Sequence, residues 1–260
     1  MSDLHVDRVG PEGAPDVVLV HGWAMHGGLW GGLIDVLARN HRVHVPDLPG
    51  HGLSTGSEPP ADINAWAEVL LRHAPERAAW IGWSLGGLIA QAVARLAPER
   101  VTALGLIAST PSFVVRADWP DAVEPAQLAA FADALAEDAD RTLSRFLSLQ
   151  VRGAANATAT LRALRTALSS RPSAAPAARQ DGLTLLLESD LRGDLDRIAV
   201  PIAAVFGGRD TLIPGEAARA LQSLAPKARV NVLENAGHAP FWSHPDEVSD
   251  ILAGLLRDAN

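Results

Sequence analysis

The sequence predicts an α/β protein: a mostly parallel sheet with flanking helices and an inserted helical cap. Three observations carry that prediction. Short apolar runs of strand length alternate with longer stretches of helical periodicity, the alternation stops between Pro111 and about Asp194, and it resumes from Ile202 to the end. In the interruption, alanine-rich helical segments follow one another with no strand-like run. The predicted organisation is therefore a core in two parts, residues 1–112 and 194–260, around a cap at 113–193.

The first run, Asp16 to Val20 (DVVLV), is almost wholly apolar, as a parallel strand buried on both faces requires, and Arg42 to Val45 makes a second. Further strands are expected at Ala78 to Ile81, Ala103 to Ala108, Ile202 to Phe206 and Arg229 to Leu233. Helical patterns fall between and after them, at Leu29 to Arg39, Leu85 to Leu96, Gly215 to Leu224 and Pro245 to Leu256. Inside the cap, the prolines and serines of Ser169 to Pro176 (SSRPSAAP) predict a mobile loop between helices. No internal repeat is present.

Composition narrows the chemistry. A chain of 260 residues with 48% hydrophobic content can fold around one core as a single unit. No opening signal stretch, lipidation motif or run approaching the ~18 apolar residues of a membrane span is found, so a soluble cytoplasmic protein is expected. The absence of cysteine excludes disulfides, thiolate nucleophiles and cysteine-ligated metals. A net charge of −8 argues against general nucleic-acid binding, which requires a basic surface.

Gly82-Trp83-Ser84-Leu85-Gly86 lies between a strand-like run and a helical segment. In that context a G-x-S-x-G sequence is a nucleophile elbow, with glycines clearing the crowded turn and the serine placed at a helix N-terminus. A serine needs a histidine to take its proton, and the histidine needs a carboxylate to orient it. Asp210 stands just beyond the run Ile202 to Phe206 and His238 just beyond Arg229 to Leu233. Both are strand exits, where active sites of open α/β sheets form. Asp181, Asp190 and Asp194 lack that setting.

An oxyanion formed at Ser84 needs two N–H donors, expected from Leu85 and from Trp23 in the loop after the first run. Trp23, Trp83 and Trp242 lie close in sequence to site elements and serve either as an apolar acyl wall or as core packing. The other histidines receive no catalytic role. His21 and His26 lack a third ligand at useful spacing, and His21 is expected to brace its loop. Asp47 and His51 sit in a glycine-rich turn that is equally well structural. No metal and no cofactor is expected.

Taken together, His21-Gly22-Trp23, Asp47-Leu48-Pro49-Gly50-His51-Gly52, Gly82 to Gly87, Gly208-Arg209-Asp210 and Gly237-His238-Ala239-Pro240-Phe241 resemble the α/β-hydrolase superfamily. Within it, Trp23, Gly-Trp-Ser-Leu-Gly-Gly, Asp118-Trp119-Pro120, Arg141-Thr142, Arg145 to Gln150 and Ser243-His244-Pro245 are similar to the pimeloyl-[acyl-carrier protein] methyl ester carboxylesterase family of biotin synthesis. The resemblance implies a serine esterase whose substrate contacts are Trp23, Ser84, Leu85, Phe146, Leu147, Ser148, Leu149, Gln150 and His238. It also implies that cap arginines, here Arg141, Arg145 and Arg162, grip an acyl-carrier protein, and a monomer is expected. A general small-molecule carboxylesterase or lactonase shares every catalytic residue. A ligand sensor on a hydrolase fold is the non-enzymatic alternative.

Charge distribution supports a docking surface independently. Between Arg141 and Arg179 lie seven arginines, at 141, 145, 152, 162, 165, 171 and 179, with no lysine and no acid. Since the whole chain carries −8, the rest carries −15. Such an island suits an acidic partner, and arginine forks suit phosphate and carboxylate. A coding preference for arginine is the alternative, because Lys227 is the sole lysine, but it does not account for the missing acids.

Overall fold

The computed structural model describes residues 4–152, 154 and 156–259. Seven strands form one sheet: β1 (Val6–Val9), β2 (Asp16–Val20), β3 (Arg42–Pro46), β4 (Ala78–Trp83), β5 (Val101–Ile107), β6 (Ile202–Gly207) and β7 (Arg229–Leu233). Their order is β1-β3-β2-β4-β5-β6-β7, antiparallel only where β1 meets β3. Among the described residues ten helices accompany them: α1 (Gly32–Leu37), α2 (Ile63–His73), α3 (Leu85–Leu96), α4 (Pro125–Glu137), α5 (Ala139–Gln150), α6 (Ala157–Leu168), α7 (Pro176–Glu188), α8 (Glu216–Leu224), α9 (Pro240–Ser243) and α10 (Pro245–Asp258).

The continuous apolar runs have a direct cause, because successive strand residues feed opposite faces of the sheet. Val18 and Val20 of β2 and Trp80 of β4 pack with Trp66, Leu70, Leu88 and Ile89 on one side. Val17, Leu19 and Ile81 pack with Leu33, Val248, Leu252 and Leu255 on the other. Both faces are covered, so neither half of the alternation can be polar.

Three elements differ from expectation. Strand β1 escapes notice because it is four residues long, carries Asp7 and Arg8, and lies half-exposed at the sheet edge. Helix α2 was also unassigned, although Asp62 caps it by accepting from the amides of Asn64 and Ala65, and Trp66, Ala67 and Leu70 form its buried stripe. The single helix expected over Leu29 to Arg39 is split. Gly31 has φ +53°, which ends a short 3₁₀ turn at Gly27–Trp30 before α1 begins. The Trp242 ring fills the space beside it, 3.2 Å from where a Cβ would stand.

Helices α4 to α7 lie in the chain between β5 and β6. The two connections at their base are joined by Arg192, whose guanidinium pairs with Asp118 at 2.6 Å and Asp190 at 2.8 Å and lies over the Trp119 ring. The loop expected to be mobile is anchored instead. Arg171 pairs with Asp7 and with Asp47 (2.8 Å), His26 bonds the Leu168 carbonyl (3.0 Å), and the Ala175 N–H donates to Gly50 O at 2.8 Å. Its serines and prolines have loop composition, but long-range bonds hold the loop against the core.

Candidate active site

Ser84 sits between the end of β4 and the start of α3 with φ +54° and ψ −122°, a conformation that side chains other than glycine rarely adopt. The surroundings enforce it. The Ser84 N–H donates to Ile107 O at 2.9 Å, and its carbonyl accepts from Ser109 Oγ at 2.8 Å. A Cβ at Gly82 would overlap Gly86 O, and one at Gly86 would overlap Val20 O, so both glycines are required by close backbone approach.

The three predicted residues converge. Ser84 Oγ–H donates to His238 Nε2 at 2.9 Å, and His238 Nδ1–H donates to Asp210 Oδ2 at 2.7 Å. The other Asp210 oxygen accepts from the amides of Leu212 (2.8 Å) and Ile213 (3.0 Å), which fixes the carboxylate from behind. The Asp210 and His238 side chains are buried. His238 is further held through its carbonyl, which accepts from Trp83 Nε1 at 2.8 Å, while the next residue, Ala239, donates its N–H to Gln150 O at 3.0 Å. The end of α5 thus braces the histidine loop.

The loop after β2 passes against the elbow. A Cβ on Gly22 would stand 3.4 Å from the Ser84 Cβ, which brings the following residue, Trp23, to the serine. Leu85 opens α3, so its N–H belongs to the first-turn amides that have no intrahelical acceptor. The Trp23 side chain is locked by donating Nε1–H to Arg179 O at 2.7 Å and by edge-on contact with Phe131 and Phe146.

Above Ser84 and His238 lies a cavity of about 160 Å³. Phe131, Phe146 and Leu149 of α4 and α5 form one wall; Leu183 and Leu186 of α7 and Phe113 form another. His238 is the only titratable side chain among its lining residues. Such a space accepts an uncharged acyl chain and penalises a charged group there.

Comparison with known proteins gives the family. The family model described as alpha/beta hydrolase fold matches residues 15–245. The chain belongs to that family. A pimeloyl-[acyl-carrier protein] methyl ester esterase of Nitrosomonas europaea is 41% identical over 247 residues, covering 95% of this chain and 97% of its own. One from Xanthomonas campestris pv. campestris is 42% identical over 249 residues, covering 96% and 97%. At these levels the chain is a member of the pimeloyl-[acyl-carrier protein] methyl ester esterase group of α/β hydrolases. Among solved structures, an esterase from Exiguobacterium antarcticum superposes with a TM-score of 0.85 at 21% identity, covering 98% of this chain and 95% of that one. A bromoperoxidase from Bacillus anthracis gives 0.87 at 19%, covering 98% and 95%; both likenesses concern the fold.

Within this α/β-hydrolase site, the residues expected at the substrate divide. Trp23, Ser84, Phe146, Leu149 and His238 line the cavity. Leu85 and Leu147 are buried in the packed core, Ser148 Oγ donates to Ser144 O, and the buried Gln150 donates its amide to Phe146 O; none of these four is among the residues lining the cavity. For the three on α5 the reason is helical geometry, since consecutive residues point in different directions and only those one turn apart share a face. Of the three tryptophans, only Trp23 lines the cavity. Trp83 packs on Phe241 and His238, and Trp242 donates to Leu29 O at 2.7 Å. The rest of the lining comes from α4, α7 and the loops at Phe113, Val123, Thr211 and Leu212; apolar helical periodicity marks only its helical members, and no motif marks the others.

His21 braces its loop as expected. Its Nδ1–H donates to Gly22 O and its Nε2 accepts from Leu48 N, both at 2.9 Å. Burial, with the nearby His51 ring second, pushes His21 down to about 3, and burial pushes His51 down to about 4. Both rings are neutral in the fold yet titrate near 6.5 once the chain unfolds. Between these values the unfolded state binds more protons, so this stability is complete above pH ~6.5 and is lost as pH falls, down to about 4 for His51 and about 3 for His21. By pH ~5 the expected loss is about 2 kcal/mol per ring, read from urea midpoints. A midpoint unchanged between pH ~7 and pH ~5 would contradict it.

Proposed function

We propose that this protein is a serine carboxylesterase that hydrolyses the methyl ester of pimeloyl-[acyl-carrier protein] in biotin synthesis. The observation that carries the reading is the Ser84–His238–Asp210 relay opening onto a neutral apolar cavity, in a chain related over nearly its full length to esterases of that name. His238 Nε2 takes the Ser84 proton as Oγ attacks the ester carbonyl, and the N–H groups of Trp23 and Leu85 hold the oxyanion. The imidazolium, stabilised by Asp210, passes its proton to the methoxide oxygen, and methanol leaves. Water then attacks the acyl-enzyme with His238 again as base, restoring the Ser84 hydroxyl and leaving a free carboxylate on the carrier-linked chain.

Helices α4 to α7 act as the cap in this reading, and their arginines dock the carrier. Arg141, Arg145, Arg162 and Arg165 are exposed on α5 and α6, and Arg152 is exposed in the turn after α5. Arg171 is excluded from this set because Asp7 and Asp47 engage it. The double substitution Arg141→Glu with Arg145→Glu is expected to raise KM for the carrier-linked ester about tenfold more than KM for a short soluble ester, an effect that fades with added salt. Equal changes on both substrates would remove the docking assignment.

The test of the function is methanol release from pimeloyl-[acyl-carrier protein] methyl ester compared with cleavage of a short p-nitrophenyl ester. A strong preference for the carrier-linked ester is expected. Fast cleavage of the short ester without that preference would assign the same relay to a general small-molecule esterase.

A further inference from the structure

Polar side chains are scarce around the cavity. Trp23 spends its N–H on Arg179 O, and beyond Ser84 and His238 only Gln127 and Thr211 offer polar side-chain atoms among the lining residues. These two are also the only exposed members of the lining, all others being buried or half-buried, so they mark where the cavity meets solvent. They come from different elements, Gln127 from the first turn of α4 and Thr211 from the loop that carries Asp210. Among the described residues, neither side chain has a hydrogen-bond partner within the protein.

We propose that Gln127 and Thr211 form a polar collar at the mouth of the cavity that hydrogen-bonds the first carbonyl or amide beyond the methylene chain of the substrate. This rests on the esterase reading, which puts the scissile ester carbonyl at Ser84 and the methylenes against the apolar wall. The group at the far end is then a thioester or amide of the carrier tether. Gln127 Nε2 or Thr211 Oγ1 donates to its carbonyl, and Gln127 Oε1 accepts from a tether N–H. A carbonyl drawn into the apolar wall without such a partner loses its water and gains nothing in return. Chain length is thereby read as the separation between an ester and a second polar group. A smooth apolar tunnel would discriminate only weakly between neighbouring lengths, whereas a hydrogen-bonding position discriminates strongly.

The experiment uses two soluble probes of equal length, the methyl ester of pimeloyl N-methylamide and a plain methyl alkanoate. Wild-type enzyme is expected to favour the amide-ended probe in kcat/KM by about tenfold, mostly through KM. Gln127→Leu is expected to bring that ratio close to unity, and Thr211→Val to lower it in part. A wild-type ratio near unity, or a ratio that survives both substitutions, would overturn the collar while leaving the esterase standing. Cleavage of neither probe by the wild type would overturn the esterase reading and the collar with it.

Discussion

Replacing Ser84 by alanine is expected to lower kcat for the carrier-linked methyl ester by about 10⁶-fold while leaving carrier affinity nearly intact. The size follows from how the relay works. Its three members act as one device, so removing the nucleophile forfeits the contribution of His238 and Asp210 as well. The Trp23 and Leu85 amides and the apolar wall remain, and these sustain only a residual rate over water. Alanine removes a single oxygen and leaves the Ser84 N–H bond to Ile107 O and the carbonyl bond from Ser109 in place, so the elbow itself should persist. Single-turnover methanol release and carrier binding would be measured on the same preparation. A residual rate within tenfold of wild type would place the nucleophile elsewhere, and parallel loss of binding would mean that the fold had been damaged.

Replacing Arg171 by methionine is expected to destabilise the protein by about 4 kcal/mol, although the residue is remote from the nucleophile in sequence. Asp47 is fully buried and serves three partners: the amides of Gly27 and Leu53, both at 2.7 Å, and Arg171 at 2.8 Å. Burial works against its charge, yet those amides and the arginine hold its carboxyl below the ordinary carboxylate range. Methionine preserves much of the packing volume but leaves a buried carboxylate without its counter-ion, which is the costly way to break such a pair. For a chain of this size the midpoint of thermal unfolding should fall by about 10 °C. Urea titration separates this from a change in compactness, since the midpoint should move at constant m. Arg162→Met, on the exposed face of α6, should stay within about 0.5 kcal/mol. Similar small shifts for the two variants would show that the loop between α6 and α7 is not anchored through Asp47.

These two expectations draw on different kinds of information. Ser84 and Asp210 are legible in the chain because each stands just past a strand buried along its whole length, and such strands announce themselves in sequence; His238 follows β7, an edge strand whose Val230, Val232 and Leu233 still make a short apolar run. Parallel strands place their C-terminal ends along one edge, so three strand exits become three neighbours without any knowledge of side-chain packing. Strand β1 is illegible because its four residues carry the adjacent charges Asp7 and Arg8 in the middle, which leaves no apolar run at all. Asp62 and the stripe Trp66, Ala67, Leu70 do signal α2, and a search for capping residues would have found it.

By itself the sequence determined the fold class, the helical interruption between β5 and β6, the elbow and its two partners, and the count of arginines in the basic stretch. Each of these is written in local pattern: apolar periodicity, glycines where backbones meet, and charge along the chain. Only the tertiary structure decided which residues of α5 face the substrate cavity, which tryptophan walls it, and which arginine is already committed to Asp47. Those choices depend on how helices rotate against the sheet and on contacts between residues far apart in the chain, as when Arg171 reaches Asp47 or Trp23 meets Phe131 and Phe146. Close packing fixes such contacts, and it is a property of the whole assembled core rather than of any stretch of residues.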